Sequence, residues 1–391
     1  MRLWFVMPVW AVLAFLGLTQ TCGFLQSSFT RIPRCRRSIL FKSLIMAAKK
    51  QKAKGAASKK LSVKGFGSKP ASAAGTLLRD AETMALAKWL ETNGADMRRV
   101  AVADFNGLRG VMALQDIPKG DAIIRVPSGA AVYLGDEGPG PEMLAMQLLK
   151  LRSDPDSRWS PYFASLPAPG GPDLTTTDFF TEDELDMLQF PPVADETRRR
   201  LARCRSLYDD VVLPQVEIGS AFHNAKLSLE DLKWALFVVV SRVLSVLRMD
   251  DVTYSKLLIP GIDLFNHRAG APHILRGRLA PGSTLEIVAG EYVKAGEEIT
   301  IEYMGGGARS DRMVQDYGFL DPAVDDVGWL RQMPAGAAAS AAAQDALRQT
   351  SLEEDEALLA AGGLPPRAKL AVEFRMLLKR AVAKTTAGEG G

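Results

Sequence analysis

Cysteine and histidine are scarce in this chain of 391 residues, with three of each. Cys22, Cys35 and Cys204 are too few and too scattered for a disulfide framework or a four-thiolate zinc site. His223, His267 and His273 leave little room for a zinc hydrolase. A phosphate-cradling loop is lacking as well: Gly305-Gly306-Gly307 follows a strand-like run, but no Lys-Ser/Thr comes after it, which disfavours a nucleotide-phosphate enzyme. Acid is missing from one end. Residues 1–79 hold fifteen Lys and Arg and not one Asp or Glu, the first acid being Asp80. That leaves 33 of the 48 basic residues against all 45 acidic ones, a net of −12, so the overall charge of +3 carries no argument for nucleic-acid binding. What remains, 47% apolar and 24% charged, is the composition of a globular chain able to bury a core in one large or two smaller domains.

The acid-free stretch reads as targeting. Arg2 precedes an apolar run over residues 3–18 that ends at small and polar residues, Thr19-Gln20-Thr21-Cys22-Gly23. This suits a secretory signal better than a membrane span. From Phe24 to Arg79 the composition is that of an organellar transit peptide, and the two in series resemble the bipartite plastid leader of algae with complex plastids. Two other readings stay open. The apolar run could be a retained anchor, or translation could start at Met46 with a basic head on a cytosolic or nuclear protein.

Beyond residue 80 the pattern predicts an α+β fold. Short strands are expected at 99–103, 110–114 and 122–126, separated by Asn106-Gly107 and Pro118-Lys119-Gly120 turns. A mostly helical insert follows over about 142–249, strongest at 228–247, where Ser228 with Glu230 and Asp231 marks a helix start. Strand character returns at 257–259, 285–288 and 298–303, and the last 70 residues are helical. His223 and His273 read as surface or loop histidines. The arginines of 198–200, with Arg203 and Arg205, read as a solvated helix face.

Three segments carry the chemistry: Gly107-Leu108-Arg109-Gly110-Val111 running into DIPKGD, Asp263-Leu264-Phe265-Asn266-His267, and GEEITIEYMGGGARSDRMVQDYGF with Tyr303 and Tyr317. Each is weak alone. In this order and spacing, Asp263 standing 40 residues before Tyr303 and Tyr317 14 after it, the chain resembles the SET-domain protein-lysine methyltransferases, in the branch of the Rubisco large-subunit methyltransferase. The likeness runs from about residue 81 to 384. It implies a SET-domain fold of short strands around a pseudoknot-like core, spanning 80–320 with the helical insert, followed by a short helical, substrate-binding-like region at 321–391.

The resemblance also implies S-adenosyl-L-methionine as cofactor and a lysine-bearing protein as partner, Rubisco or another stromal protein, with no nucleic acid and no stable membrane span. Tyr303 takes the catalytic position and Tyr317 a wall of the lysine channel. Asn266 and His267 would hold the amino-acid and adenine ends of the cofactor, and the backbone of Gly107, Leu108 and Arg109 would wrap its methionine portion. Arg242, which interrupts an apolar helix, and Asp263 fall on the substrate side. The chemistry is consistent with few histidines: an aromatic channel that desolvates the lysine ammonium promotes loss of its proton without a dedicated base. Departures are Ser310 where relatives have Asn, a GLRG turn where they often place two glycines one residue apart, and a short tail. They leave room for an inactive SET-fold scaffold that binds peptides, and for histidine as the acceptor. The lack of a Cys-rich zinc segment disfavours the histone-tail subgroup.

Overall fold

Three small sheets and a block of helices make up the residues described by the computed structural model, 75–219, 221–321, 323–324 and 345–388. All but the last few residues of the expected leader lie outside them. The largest sheet has the order β1 (Thr76–Leu77), β2 (Val100–Asp104), β3 (Arg109–Ala113), β11 (Glu298–Ile301), β8 (Asn266–His267). The second is β4 (Ala122–Pro127), β10 (Thr284–Val288), β9 (Ile274–Arg276), and the third is β5 (Val132–Asp136), β7 (Tyr254–Leu258), β6 (Leu244–Leu247). Every pairing is antiparallel except β8 with β11, whose parallel register sets Asn266 against Thr300 and His267 against Ile301. That crossing brings two motif segments, distant in sequence, to one edge.

The turn from β2 to β3 shows how local sequence builds the site. Asn106 (φ 60°) and Gly107 (φ 89°) both lie in the left-handed region, while Phe105 N–H donates to Leu108 O at 2.7 Å. A two-residue turn of this hand matches the twist of the flanking strands and selects Asn-Gly.

Between β5 and β6 run α1's successors in the helical insert; α1 itself (Ala81–Thr92) precedes β2 and is capped by the Asp80 side chain, which accepts from Thr83 N–H at 2.8 Å. The insert comprises α2 (Pro141–Ser153), α3 (Ser160–Ser165), α4 (Glu182–Met187), α5 (Pro191–Leu207), α6 (Leu213–Ile218) and α7 (Leu229–Arg242). α7 begins at a capping box, Ser228 and Asp231 each bonding the other's backbone N–H. Its face of Leu232, Ala235, Leu236 and Val239 is buried with Leu144, Leu148 and Leu149 of α2 in one core cluster. The expected helix to residue 247 is corrected: it ends at Arg242, and 244–247 is strand, paired with β7 in the register Leu244↔Leu257. Pairing across the sheet outweighs the helical periodicity of that run.

Past β11, α8 (Ser310–Arg312) continues as a wider π turn over Met313–Tyr317, stopped by Gly318 at φ +75°. A Cβ on Gly318 would lie 2.4 Å from Thr175 Oγ1, so only glycine fits. The tail forms α9 (Leu352–Ala361) and α10 (Pro366–Gly388). Phe374 of α10 meets Phe190 edge-to-face at 5.8 Å, which ties the tail to the insert.

His273 sits in the loop before β9, buried rather than at the surface, its Nδ1 accepting from Gly290 N–H at 3.2 Å. One further expectation is corrected. Arg200 is not on a solvated face: it is 4% exposed, because α5 turns it inward onto Asp178 and Asp316 at 2.8 and 2.5 Å. Cys204 is buried and its thiol is pushed up to about 12 by desolvation, which makes it a packing residue.

Candidate active site

A cleft of about 510 Å³ opens between the β2–β3 turn, α3, α7 and the segment that follows β11. Gly107, Leu108, Arg109, Arg242, Asp263, Asn266, Tyr303 and Tyr317 all line it, so the structure gathers eight of the nine residues singled out from sequence. The ninth, His267, stands behind the wall. Its side chain is 1% exposed, and its Nδ1 accepts the backbone N–H of Tyr303 at 2.9 Å. Burial holds the His267 pKa below its ordinary value. A neutral ring that accepts at Nδ1 carries its proton on Nε2, which sits 3.3 Å from Asp321 Oδ2. His267 is therefore a strut for Tyr303.

Tyr303 is ringed by aromatics. Its ring centroid lies 5.0 Å from Tyr317 and 5.1 Å from His267, and Phe319 completes the group at 6.2 Å from Tyr317. The Tyr303 hydroxyl donates to Phe265 O at 2.6 Å. Desolvation raises its pKa well above the ordinary tyrosine value and pushes Tyr317 up to about 12, so both stay neutral at physiological pH. With its proton committed to a carbonyl, the Tyr303 oxygen offers lone pairs only.

Asn266 is held just as firmly. Its amide nitrogen donates to Arg109 O at 3.0 Å and to Glu298 Oε1 at 2.7 Å. Both donors are thus spent, and only the amide oxygen remains for a ligand. Gly110 makes this packing possible, since a Cβ there would lie 2.8 Å from Asn266 Nδ2 and 2.7 Å from Glu298 Oε1.

Beneath the aromatics lies a buried polar group that sequence reasoning saw only in part. Asp263 Oδ2 accepts from the fully buried Tyr162 hydroxyl at 2.7 Å and lies 3.5 Å from Arg242 Nη1. Arg242 Nη1 also donates to Asp263 O at 2.9 Å. Asp263 Oδ1 and Arg242 Nε, both buried, find no hydrogen-bond partner among the described residues. Both residues line the cleft, but these two atoms lie beneath its surface. Tyr162 carries no signal of its own in the sequence.

Arg200, placed by its sequence on a solvated face, bears on the site instead. It grips Asp178 with two nitrogens at 2.8 Å and donates to Gln315 O at 3.0 Å, as well as bonding Asp316. These contacts fix the turn that carries Tyr317. Ser310, at the head of that turn, buries a hydroxyl without a partner among the described residues.

Comparison with known proteins places this arrangement. A family model described as the SET domain matches residues 108–304, half of the chain. The chain is 28% identical over 261 residues to the chloroplastic ribulose-1,5 bisphosphate carboxylase/oxygenase large subunit N-methyltransferase of Pisum sativum, covering 60% of this chain and 50% of that protein. It is 28% identical over 247 residues to the actin-histidine N-methyltransferase of Homo sapiens, covering 58% and 40%. The chain thus spans about half the length, or less, of the curated relatives it matches. In fold it is similar to the SET domain of LSMT bound to lysine and AdoHcy, with a TM-score of 0.59 at 20% identity over 79% of this chain and 91% of that one. The protein belongs to the SET-domain family.

Proposed function

We propose that this chain is an S-adenosyl-L-methionine-dependent protein N-methyltransferase that acts on a lysine amine of a soluble, non-histone plastid protein. The observation that carries the reading is the aromatic group around Tyr303 in a cleft that Arg109, Arg242 and Asn266 also line. Residues 80–320 form its catalytic unit, and the helices α9 and α10 belong to a short C-terminal substrate-binding-like region.

The residues present fit the cofactor. Its amino-acid end has one carboxylate and one ammonium: the Arg242 guanidinium, which lines the cleft, has the charge to meet the first, and the amide oxygen of Asn266, whose two amide N–H groups are spent elsewhere, is left to accept from the second. Gly107, at positive φ with nothing within 4 Å of its Cβ direction, leaves room for backbone to approach a ligand closely. When bound, the cofactor supplies a methyl group on a positively charged sulfur. The chain's own residues do the rest. Tyr317, Phe319 and Tyr303 exclude water, which favours the neutral amine of a lysine whose ordinary pKa is about 10.4. The lone pairs of Tyr303 accept from the amine or from the polarised methyl C–H groups and hold the two in line.

Incubation with methyl-labelled cofactor and stromal extract tests the reading: label should enter a protein lysine, and Tyr303→Phe should abolish most of it. Failure of the folded chain to bind the cofactor would favour a SET-fold scaffold. The acid-free residues 1–79 and the chloroplastic relative support the plastid; N-terminal sequencing of the mature chain checks it. The likeness to actin-histidine methyltransferases favours one second reading, histidine as acceptor, which mass spectrometry of the modified residue distinguishes.

A further inference from the structure

Tyr162 does not line the cleft, yet it holds the carboxylate on which one turn of the site rests. The residue is fully buried. Its hydroxyl supplies the only hydrogen bond that the Asp263 carboxylate makes among the described residues, since Arg242 stands off at 3.5 Å and Oδ1 has no partner. Burial and then the nearby Asp263 charge drive the Tyr162 pKa well above the ordinary tyrosine value, so the hydroxyl keeps its proton and remains a donor. A buried carboxylate stripped of its only donor is costly and shifts toward whatever cation is at hand. Here that cation is Arg242.

Asp263 belongs to a short stretch that carries much of the site. The single 3-10 turn Ile262–Leu264 closes with Phe265 N–H donating to Ile262 O at 3.3 Å. Phe265 O then accepts the Tyr303 hydroxyl at 2.6 Å, and Asn266 and His267 follow directly. The two side chains nearest the carboxylate of this turn come from different helices, Tyr162 from α3 and Arg242 from α7. Their balance fixes where Asp263 sits, hence where Phe265 O sits, and hence which way the lone pairs of Tyr303 point.

We propose that Tyr162 is a positioning residue for methyl transfer: through Asp263 it sets the turn whose carbonyl takes the Tyr303 proton. This rests on the methyltransferase reading and adds to it a residue one layer behind the reacting groups. A misplacement of about 1 Å at a reacting group can cost on the order of 100-fold in rate, so the loss of this one hydroxyl shows in turnover and not in cofactor binding.

Tyr162→Phe keeps the ring and removes the hydroxyl. On the full chain, at a temperature where each variant is folded, the initial rate of label transfer from methyl-labelled S-adenosylmethionine into stromal extract should fall by about tenfold. Calorimetric binding of S-adenosylhomocysteine should be nearly unchanged. The discriminating measurement repeats the substitution in Tyr303→Phe. With the Tyr303 hydroxyl gone, Phe265 O has nothing left to orient, so adding Tyr162→Phe should lower the residual rate by less than about twofold. A general loosening of the fold would instead cost the same factor in both backgrounds. Equal factors in the two backgrounds, an unchanged rate in the single variant, or cofactor binding that falls in step with the rate overturns the proposal and leaves the methyltransferase reading standing. A folded wild type that transfers no label overturns that reading, and the role of Tyr162 with it.

Discussion

Two buried aspartates in this protein each face an arginine, and their surroundings differ in kind. Asp355, between α9 and α10, is saturated. Its Oδ1 accepts from Arg375 Nη2 at 2.6 Å, Arg375 Nε at 3.1 Å and Thr350 Oγ1 at 2.8 Å, and its Oδ2 from Lys379 Nζ at 2.5 Å. Burial disfavours the Asp355 charge, yet these partners outweigh it and hold the pKa below the ordinary carboxylate range. Asp263, equally buried, keeps a looser arginine at 3.5 Å and one oxygen with no partner among the described residues. The residue types are the same. A closed set of hydrogen bonds builds scaffold, whereas the incomplete set belongs to residues that line the cleft.

Breaking the closed set should have the largest effect. Asp355→Ala strands Arg375, which is 1% exposed, and should cost about 3–5 kcal/mol of stability in denaturant unfolding. Asp263→Ala should cost less, since Arg242 already borders the cleft and keeps its bond to the Asp263 carbonyl. Equal losses would dissolve the distinction between the two pairs.

Next comes Tyr303→Phe, expected to lower methyl transfer by about 100-fold or more while leaving cofactor binding nearly intact, as scored by label incorporation beside calorimetry. Gly110→Ala sharpens the comparison from the other side. The added methyl must push apart Asn266 and Glu298 and should cost about 1–3 kcal/mol by thermal unfolding, together with weaker cofactor binding.

The smallest effect is one of pH. Burial depresses the pKa of His267 and of His273, so the unfolded chain binds more protons near its own histidine pKa of about 6.5. Stability is therefore full above that pH and lost as pH falls toward the lower folded values. Replacing His267 with Gln should flatten part of that acid limb in unfolding curves measured between pH 7 and pH 5. An unchanged slope would mean that His267 is already solvated and is no strut.

Much of this site was legible because its chemistry is local or ordered along the chain. Asn106-Gly107 announces the turn, and Ser228 with Asp231 announces the start of α7. The motif order 107–110, 263–267, 303, 317 foretells a cleft that the parallel β8–β11 pair then assembles. What escaped notice depends on which way a helix is rolled. Arg200 sits in a run of arginines that periodicity alone cannot divide into inside and outside; only the placement of Asp178 and Asp316 turns it inward. Tyr162 looks like an ordinary core aromatic until Asp263, a hundred residues later, meets its hydroxyl. The end of α7 was misread because Leu244–Leu247 has an apolar run that suits either state, and its strand partner is distant in sequence.

The most direct test of the open-set, closed-set distinction is calorimetric titration of S-adenosylmethionine into the full-length wild type, Asn266→Ala and Asp355→Asn, each at a temperature where it is folded. Micromolar binding to the wild type and to Asp355→Asn, lost in Asn266→Ala, is the expected result. Absence of binding to the folded wild type, or equal loss in both variants, would contradict the assignment of the cleft.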